Sequence, residues 1–162
     1  MEALTLWQPW ATLMAIGAKR VETRGWAMPR KITGAWIALH AAGRNTTPPD
    51  ELRAAFAVPE IARALARSGH TQQNLPAGAI VAVGLASRSI PTDTLRGNVS
   101  PDELAMGYFA AGRHGWLFER VIGLKEPILA KGAQGIWTLT LHTESQVHAQ
   151  LAIQCDTITG PF

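Results

Sequence analysis

Between Leu4 and Trp26 the chain changes character at nearly every step, and each change limits the fold. Leu4-Thr5-Leu6 reads as a short apolar strand that runs into Trp7-Gln8-Pro9-Trp10. Proline is at home in the first turn of a helix, where its missing N–H is not needed. Trp10 to Ile16 is therefore predicted as a helix, with Gly17 as the C′ residue that ends it. A second strand, Val21 to Trp26, follows at once, and the two-residue period puts Glu22, Arg24 and Trp26 on one face. Lys19 stands in the turn between helix and strand. Indoles suit a core, but the charges beside them do not. Together they describe a polar site with flat apolar walls, the shape a nucleobase or nucleotide requires.

The later segments set the fold class. Gly34 to Ala42 is apolar on both faces, with Trp36, Ala38 and His40 on one and Ile37, Leu39 and Ala41 on the other, so it is predicted as a central strand. Gly78 to Arg88, Gly115 to Leu124 and Gly135 to Leu141 are three further strands. An Ala-rich helical region opens at Thr47-Pro48-Pro49-Asp50 and runs to Arg67, divided by Pro59. Ile90 to Asn98 reads as a turn-rich loop. Ser100-Pro101-Asp102-Glu103 has the form of a capping box that starts a short helix. Strands and helices do not alternate regularly, which argues against a doubly wound parallel sheet. The expectation is an α+β fold: a small, mixed, mostly antiparallel β-barrel with helices inserted between strands. One domain over residues 1–142 is expected, with 143–162 as a C-terminal extension, either a loose tail or a docked helix.

Composition narrows the function. At 162 residues and 47% hydrophobic content the chain is long enough to bury a core. No apolar run approaches the ~20 residues of a membrane helix, and the N-terminus lacks the pattern of a signal peptide, so a cytoplasmic location with no membrane partner is expected. Cys155 is the only cysteine, which removes an internal disulfide and a cysteine-based metal site. The five histidines show no paired ligand spacing, so neither metal nor cofactor is expected. The net charge of +3 is unevenly placed. Lys19, Arg20, Arg24, Arg30, Lys31 and Arg44 face only Glu2 and Glu22 in the stretch up to Asn45, and no lysine or arginine follows Gly132. A basic end suits a polyanion or is simply a solvated surface.

Leu6-Trp7-Gln8-Pro9-Trp10, Gly17-x-Lys19-x-x-Glu22-x-Arg24, Ile37-Ala38-Leu39-His40-Ala41-Ala42, the apolar strand Ala79-Ile80-Val81-Ala82-Val83-Gly84 and Lys131-Gly132-x-Gln134-Gly135-Ile136-Trp137 occur in this order. In this combination the chain resembles the ASCH domain family, whose fold is similar to the PUA barrel. The Trp-Gln-Pro-Trp variety resembles the transcription-coactivator branch and its bacterial and phage relatives. The resemblance spans Leu4 to Leu141. It implies a barrel of about six strands with a cleft beside the first helix, and binding of RNA, other nucleic acid or a nucleotide-like ligand. It also implies a possible hydrolase, since some members remove the acetyl group of N4-acetylcytidine and ribonuclease activity occurs in the family. In the amidohydrolases the motif is Lys-x-x-Thr-x-Arg. Lys19 and Arg24 match it, while Glu22 stands where the threonine would be. Those enzymes use a further glutamate, for which Glu103 and Glu119 qualify by residue type alone.

Each candidate has a plain structural alternative. Lys19 is a phosphate contact, an activated base, or the partner of Glu22 in a structural ion pair. Glu22 and Lys19 are the catalytic candidates, with Glu22 as general base. Arg24 suits bidentate recognition of phosphate or a base edge, and equally a pair with Glu22. Trp7 and Trp26 are expected as stacking walls, and Trp10, Trp36, Trp116 and Trp137 as core. Gln8 either reads a base edge or caps the helix. His40 belongs to the cleft strand or is a satisfied structural group. His114 and Tyr108 have a weaker claim.

Overall fold

The computed structural model describes residues 1–158, with side chains through Gln154. The final Thr159-Gly160-Pro161-Phe162 lies outside the described residues. The elements in chain order are β1 (Glu2–Leu6), α1 (Trp10–Ala15), β2 (Val21–Arg24), a 3-10 turn (Arg30–Ile32) and β3 (Ala35–Ala41). They continue with α2 (Pro49–Ala57), α3 (Pro59–Arg67), β4 (Ala79–Pro91), α4 (Thr92–Leu95) and α5 (Pro101–Ala105). Last come β5 (His114–Leu129), β6 (Ile136–Thr138) and α6 (Leu141–Ile158).

The six strands form one curled half-barrel in the order β2-β5-β4-β3-β1-β6. Only β1 and β3 run parallel, with Leu4 opposite Leu39, and all other neighbours are antiparallel. The apolar run on both faces of β3 is explained by its place between β4 and β1, where each face needs cover. One face packs Leu4, Leu6, Ile37, Leu39 and Trp116 against Met14 of α1 and Ile32 of the 3-10 turn. The other packs Ala3, Ala38, Ile80 and Val83 against Val147 and Leu151 of α6. A third cluster joins Leu13 of α1 to Ile61 and Leu65 of α3. α1 lies close on the sheet at Gly123, where a Cβ would come within 2.5 Å of the Ala15 carbonyl oxygen.

Several element ends differ from the sequence expectation, each for a local reason. β2 stops at Arg24 rather than Trp26, because its partner β5 begins at His114, opposite Arg24. The region from Ile90 is not a loop throughout. β4 continues to Pro91, and the fully buried Thr92 starts α4 by donating its hydroxyl to the Ala110 and Arg113 carbonyls. β5 runs past Leu124 to Leu129, and its Pro127 falls where the register with β4 shifts, so no ladder N–H is missed there. β6 holds only Ile136–Thr138, the length of its ladder with β1, and Leu141 opens α6 instead of ending a strand. Among the described residues no helix is long and apolar enough to cross a membrane.

Candidate functional site

Where β1 and β2 end, the sheet leaves an open cleft of about 1300 Å3. Its walls come from the ends of β1 and β2, His40 of β3 and the segment after it, the α2–α3 region from Glu51 to Ile61, the loop from Ala130 to Gly135, and the Gly107–Arg113 approach to β5. Four cationic side chains (Lys19, Arg24, Arg113 and Lys131) and two carboxylates (Glu22 and Glu51) line it. This excess of positive charge in a concave space favours an anion.

The Gly17 turn sets Lys19. Gly17 has φ of 74°, in the left-handed region glycine tolerates, and the Ala18 and Lys19 amides both donate to the Leu13 carbonyl. The chain then turns Lys19 inward, leaving it 1% exposed. A buried ammonium needs partners. It donates to the Val21 carbonyl and stands 3.5 Å from the carboxylate of Glu103. Glu103 also accepts from the backbone N–H groups of Arg20 at 2.9 Å and Val21 at 3.1 Å. The Lys19–Glu22 ion pair, one of the alternatives open for Lys19, is therefore not formed. The capping box is also only half realised: Ser100 accepts from the Glu103 N–H, but the Glu103 side chain reaches across to β2 instead of back to its own cap. Glu119, the other glutamate considered, is exposed on β5 and is not part of the cleft wall.

Glu22 faces the cleft and pairs with Arg24, its carboxylate 3.2 Å from Nε without hydrogen-bond geometry. The Arg24 guanidinium donates to the Thr5 carbonyl at 2.9 Å, tying β2 to β1, and lies 5.5 Å from the Trp26 ring centre. Trp26 leaves the sheet just after β2. Its carbonyl accepts from the buried Trp116 indole N–H, and the two rings meet edge to face at 6.1 Å. This fixes Trp26 while leaving it 46% exposed on the cleft, and Trp7 is 42% exposed there. The indoles expected as walls are on the wall. Trp116 is core, as expected, and Trp10 and Trp137 are half-buried. Trp36, expected in the core, is 37% exposed near the start of β3.

Gln8 does not line the cleft. It is buried, its side-chain oxygen accepts from the Thr12 N–H at 3.1 Å, and its side-chain N–H donates to the Pro76 carbonyl at 2.7 Å. Both ends of the amide are spent on the start of α1 and a neighbouring loop, so no base edge can reach it.

His40 borders the cleft from inside the sheet and is 2% exposed. Nε2 donates to the Ala130 carbonyl at 3.0 Å, which leaves Nδ1 facing the Thr5 hydroxyl at 3.2 Å. The single Thr5 hydroxyl proton is shared between His40 Nδ1 and the Ala133 carbonyl, and its oxygen accepts from the Trp137 indole N–H, whose ring lies edge-on to His40. Burial lowers the His40 pKa below its ordinary value, and the bond to Ala130 opposes this in part. The Ala130–Gly135 loop fits this cluster closely, since a Cβ on Gly132 would fall 2.3 Å from His40 Cε1.

Tyr108 lies on the cleft more firmly than its sequence suggested, and Arg113, which the sequence did not single out, joins it there. Tyr108 is 67% exposed at the cleft, its backbone N–H held by the Thr23 hydroxyl at 3.2 Å. Arg113 lies over the Tyr108 ring at 5.0 Å and donates to the Thr23 carbonyl at 3.0 Å. His114 does not line the cleft. Among the described residues no group of three or more His, Cys, Asp or Glu is placed to hold a metal ion.

No protein-family model matches the chain, and no curated protein matches it. Its fold is similar to that of the ASCH protein of Zymomonas mobilis, with a TM-score of 0.53 and 14% identity over 91% of this chain and 93% of that one. Two point variants of that protein match alike. One carries phenylalanine for tyrosine, with TM-score 0.53, 14% identity and coverage of 91% and 96%. The other carries alanine for serine, with TM-score 0.52, 15% identity and coverage of 91% and 94%. The chain thus has an ASCH-type, PUA-like fold.

Proposed function

We propose that the chain binds single-stranded nucleic acid, RNA foremost, in the cleft between β1 and β2. The observation that carries this reading is the exposed Trp26 ring with the Arg24 guanidinium fixed over it, opening on a cleft of about 1300 Å3 beside the exposed Trp7. An indole offers a π-face to any base, and stacking contributes ~1–3 kcal/mol per base. Arg24 spends one terminal N–H on Thr5 and keeps its buried Nε beside Glu22, so its remaining terminal N–H groups are the ones a phosphate would meet. Lys131 adds charge at the loop, and Glu22 is an acceptor for an exocyclic amine of a base. A free nucleotide would use the same groups. A cytoplasmic setting without a membrane partner, and no cofactor, belong to this reading.

A second reading, hydrolysis of RNA or of a modified nucleoside such as N4-acetylcytidine, draws on the presence of both Glu22 and Lys19 on the cleft wall. Glu22 would act as general base on a water, with Lys19 and Arg24 stabilising the developing negative charge. The geometry favours binding over turnover, because the Lys19 ammonium is already committed to Val21 and Glu103.

Fluorescence anisotropy of a labelled single-stranded RNA over a range of salt tests the first reading. Affinity should fall as salt rises, with a slope of roughly −0.7 per contacted phosphate. Arg24→Ala should weaken binding and flatten the slope by about one charge's worth, and Trp26→Ala should weaken it at every salt concentration. Binding unaltered in both variants would place the RNA elsewhere on the surface. Product formation from N4-acetylcytidine or RNA that disappears in Glu22→Gln would favour the hydrolase.

A further inference from the structure

Arg24 over Trp26 has a counterpart in the same cleft. Arg113 lies over Tyr108 in the same manner, at 5.0 Å against 5.5 Å. Each guanidinium is fixed by one hydrogen bond to a backbone carbonyl, Arg24 to Thr5 and Arg113 to Thr23. Each has a buried Nε–H with no hydrogen-bond partner. For Arg24 the Glu22 carboxylate is nearby, but among the described residues no carboxylate pairs with Arg113. Both arginines line the same cleft and spring from neighbouring backbone. The carbonyl that holds Arg113 belongs to Thr23, the residue before Arg24, and Arg24 is paired in the ladder with His114, the residue after Arg113.

We infer that Tyr108 and Arg113 form a second stacking and phosphate subsite, so that the cleft takes two consecutive nucleotides of a single strand in preference to one. The inference rests on the nucleic-acid reading above and specifies its ligand. One base stacks at Trp26, the next at Tyr108, and the phosphate that joins them lies between two guanidinium forks. Guanidinium is the side chain best shaped for that phosphate, since its planar fork takes two oxygens at once. Two further observations agree. The volume of about 1300 Å3 exceeds the roughly 300–1000 Å3 usual for a pocket holding one small ligand. Tyr108 is 67% exposed although its backbone is tied to Thr23, so a fixed ring is held open to solvent. A tyrosine needed only for packing would be covered.

Isothermal titration calorimetry with uridine monophosphate and with the dinucleotide UpU tests this on the whole chain. The wild type should bind UpU about five- to 150-fold more tightly than the monophosphate, the increment of one stacked base. Tyr108→Ala should remove most of that gap, weakening UpU far more than the monophosphate. Arg113→Lys keeps the charge but loses the fork and the plane, and should also narrow the gap. Trp26→Ala should weaken both ligands. Because the Tyr108 side chain is largely exposed, its removal leaves the core intact, and equal melting temperatures check this. A wild type that binds both ligands equally, or a gap that survives in Tyr108→Ala, overturns the second subsite while the cleft reading stands. A wild type that binds neither overturns both.

Discussion

Removing Glu103 should destabilise this protein more than its place on a five-residue helix suggests. Lys19 is 1% exposed and its ammonium has two partners, the Val21 carbonyl and the Glu103 carboxylate at 3.5 Å. Glu103→Ala leaves a buried cation with one neutral acceptor. Breaking a buried pair from one side costs about 3–5 kcal/mol, because the remaining charge stays out of water without compensation. The two N–H groups that lose their acceptor add less, since the one at Arg20 is exposed and water replaces the carboxylate. At about 2–4 °C per kcal/mol for a domain of this size, the melting temperature should fall by roughly 6–20 °C. Lys19→Met placed on top of Glu103→Ala should restore much of the loss, since an apolar side chain in the same space carries no stranded charge. Circular dichroism melts of the four proteins in this cycle measure the coupling. A Glu103→Ala protein within about 0.5 kcal/mol of wild type would mean the pair is not formed as described. So would additive effects in the double variant.

Two shorter predictions concern the inner wall of the cleft. The pKa of His40 is lowered in the folded state by burial, so below its ordinary value of about 6.5 the unfolded chain takes up a proton that the folded chain resists. Stability from this group should be complete above about pH 6.5 and decline as pH falls through the lowered folded value; melting temperatures of wild type and His40→Gln across pH should converge in slope only above that range, and parallel curves below it would refute the assignment. Gly132→Ala would bring a Cβ 2.3 Å from His40 Cε1 and 2.5 Å from Nδ1, against a ring held at both nitrogens and by Trp137, so the loop must shift. A loss of about 1–3 kcal/mol in a urea melt and weaker RNA binding should follow, and an unchanged midpoint would show that the loop yields freely.

How much of this was legible in the sequence depended on how far apart the deciding residues lie. β3 and β4 were readable because being covered on both faces leaves a near-continuous apolar run in the sequence itself. Pro9 and Gly17 marked the ends of α1 for the same reason: each carries its backbone constraint alone. The Lys131-Gly132-x-Gln134-Gly135 stretch entered only as part of the family resemblance, and the structure places that loop on the cleft. Partners were another matter. Gln8 gave no sign in its own neighbourhood that its amide would be taken by Pro76, 68 residues away, as well as by Thr12. Lys19 had Glu22 within reach along the chain, yet the strand period points Glu22 into the cleft while the turn after Gly17 carries Lys19 inside. The carboxylate that meets it comes from α5, whose Glu103 is 83 residues from Arg20. Charge patterns therefore show that a cation is present, but not whether it is free for a ligand, because that depends on which distant element packs beside it. Lys19 and Arg24 stand five positions apart, and only the fold separates a guanidinium over Trp26 on the cleft from a buried ammonium already neutralised by Glu103. On the proposed binding reading, ligand contact falls to the arginines and stability to the lysine, and the Glu103 cycle and the Arg24 salt slope are the measurements that hold the two roles apart.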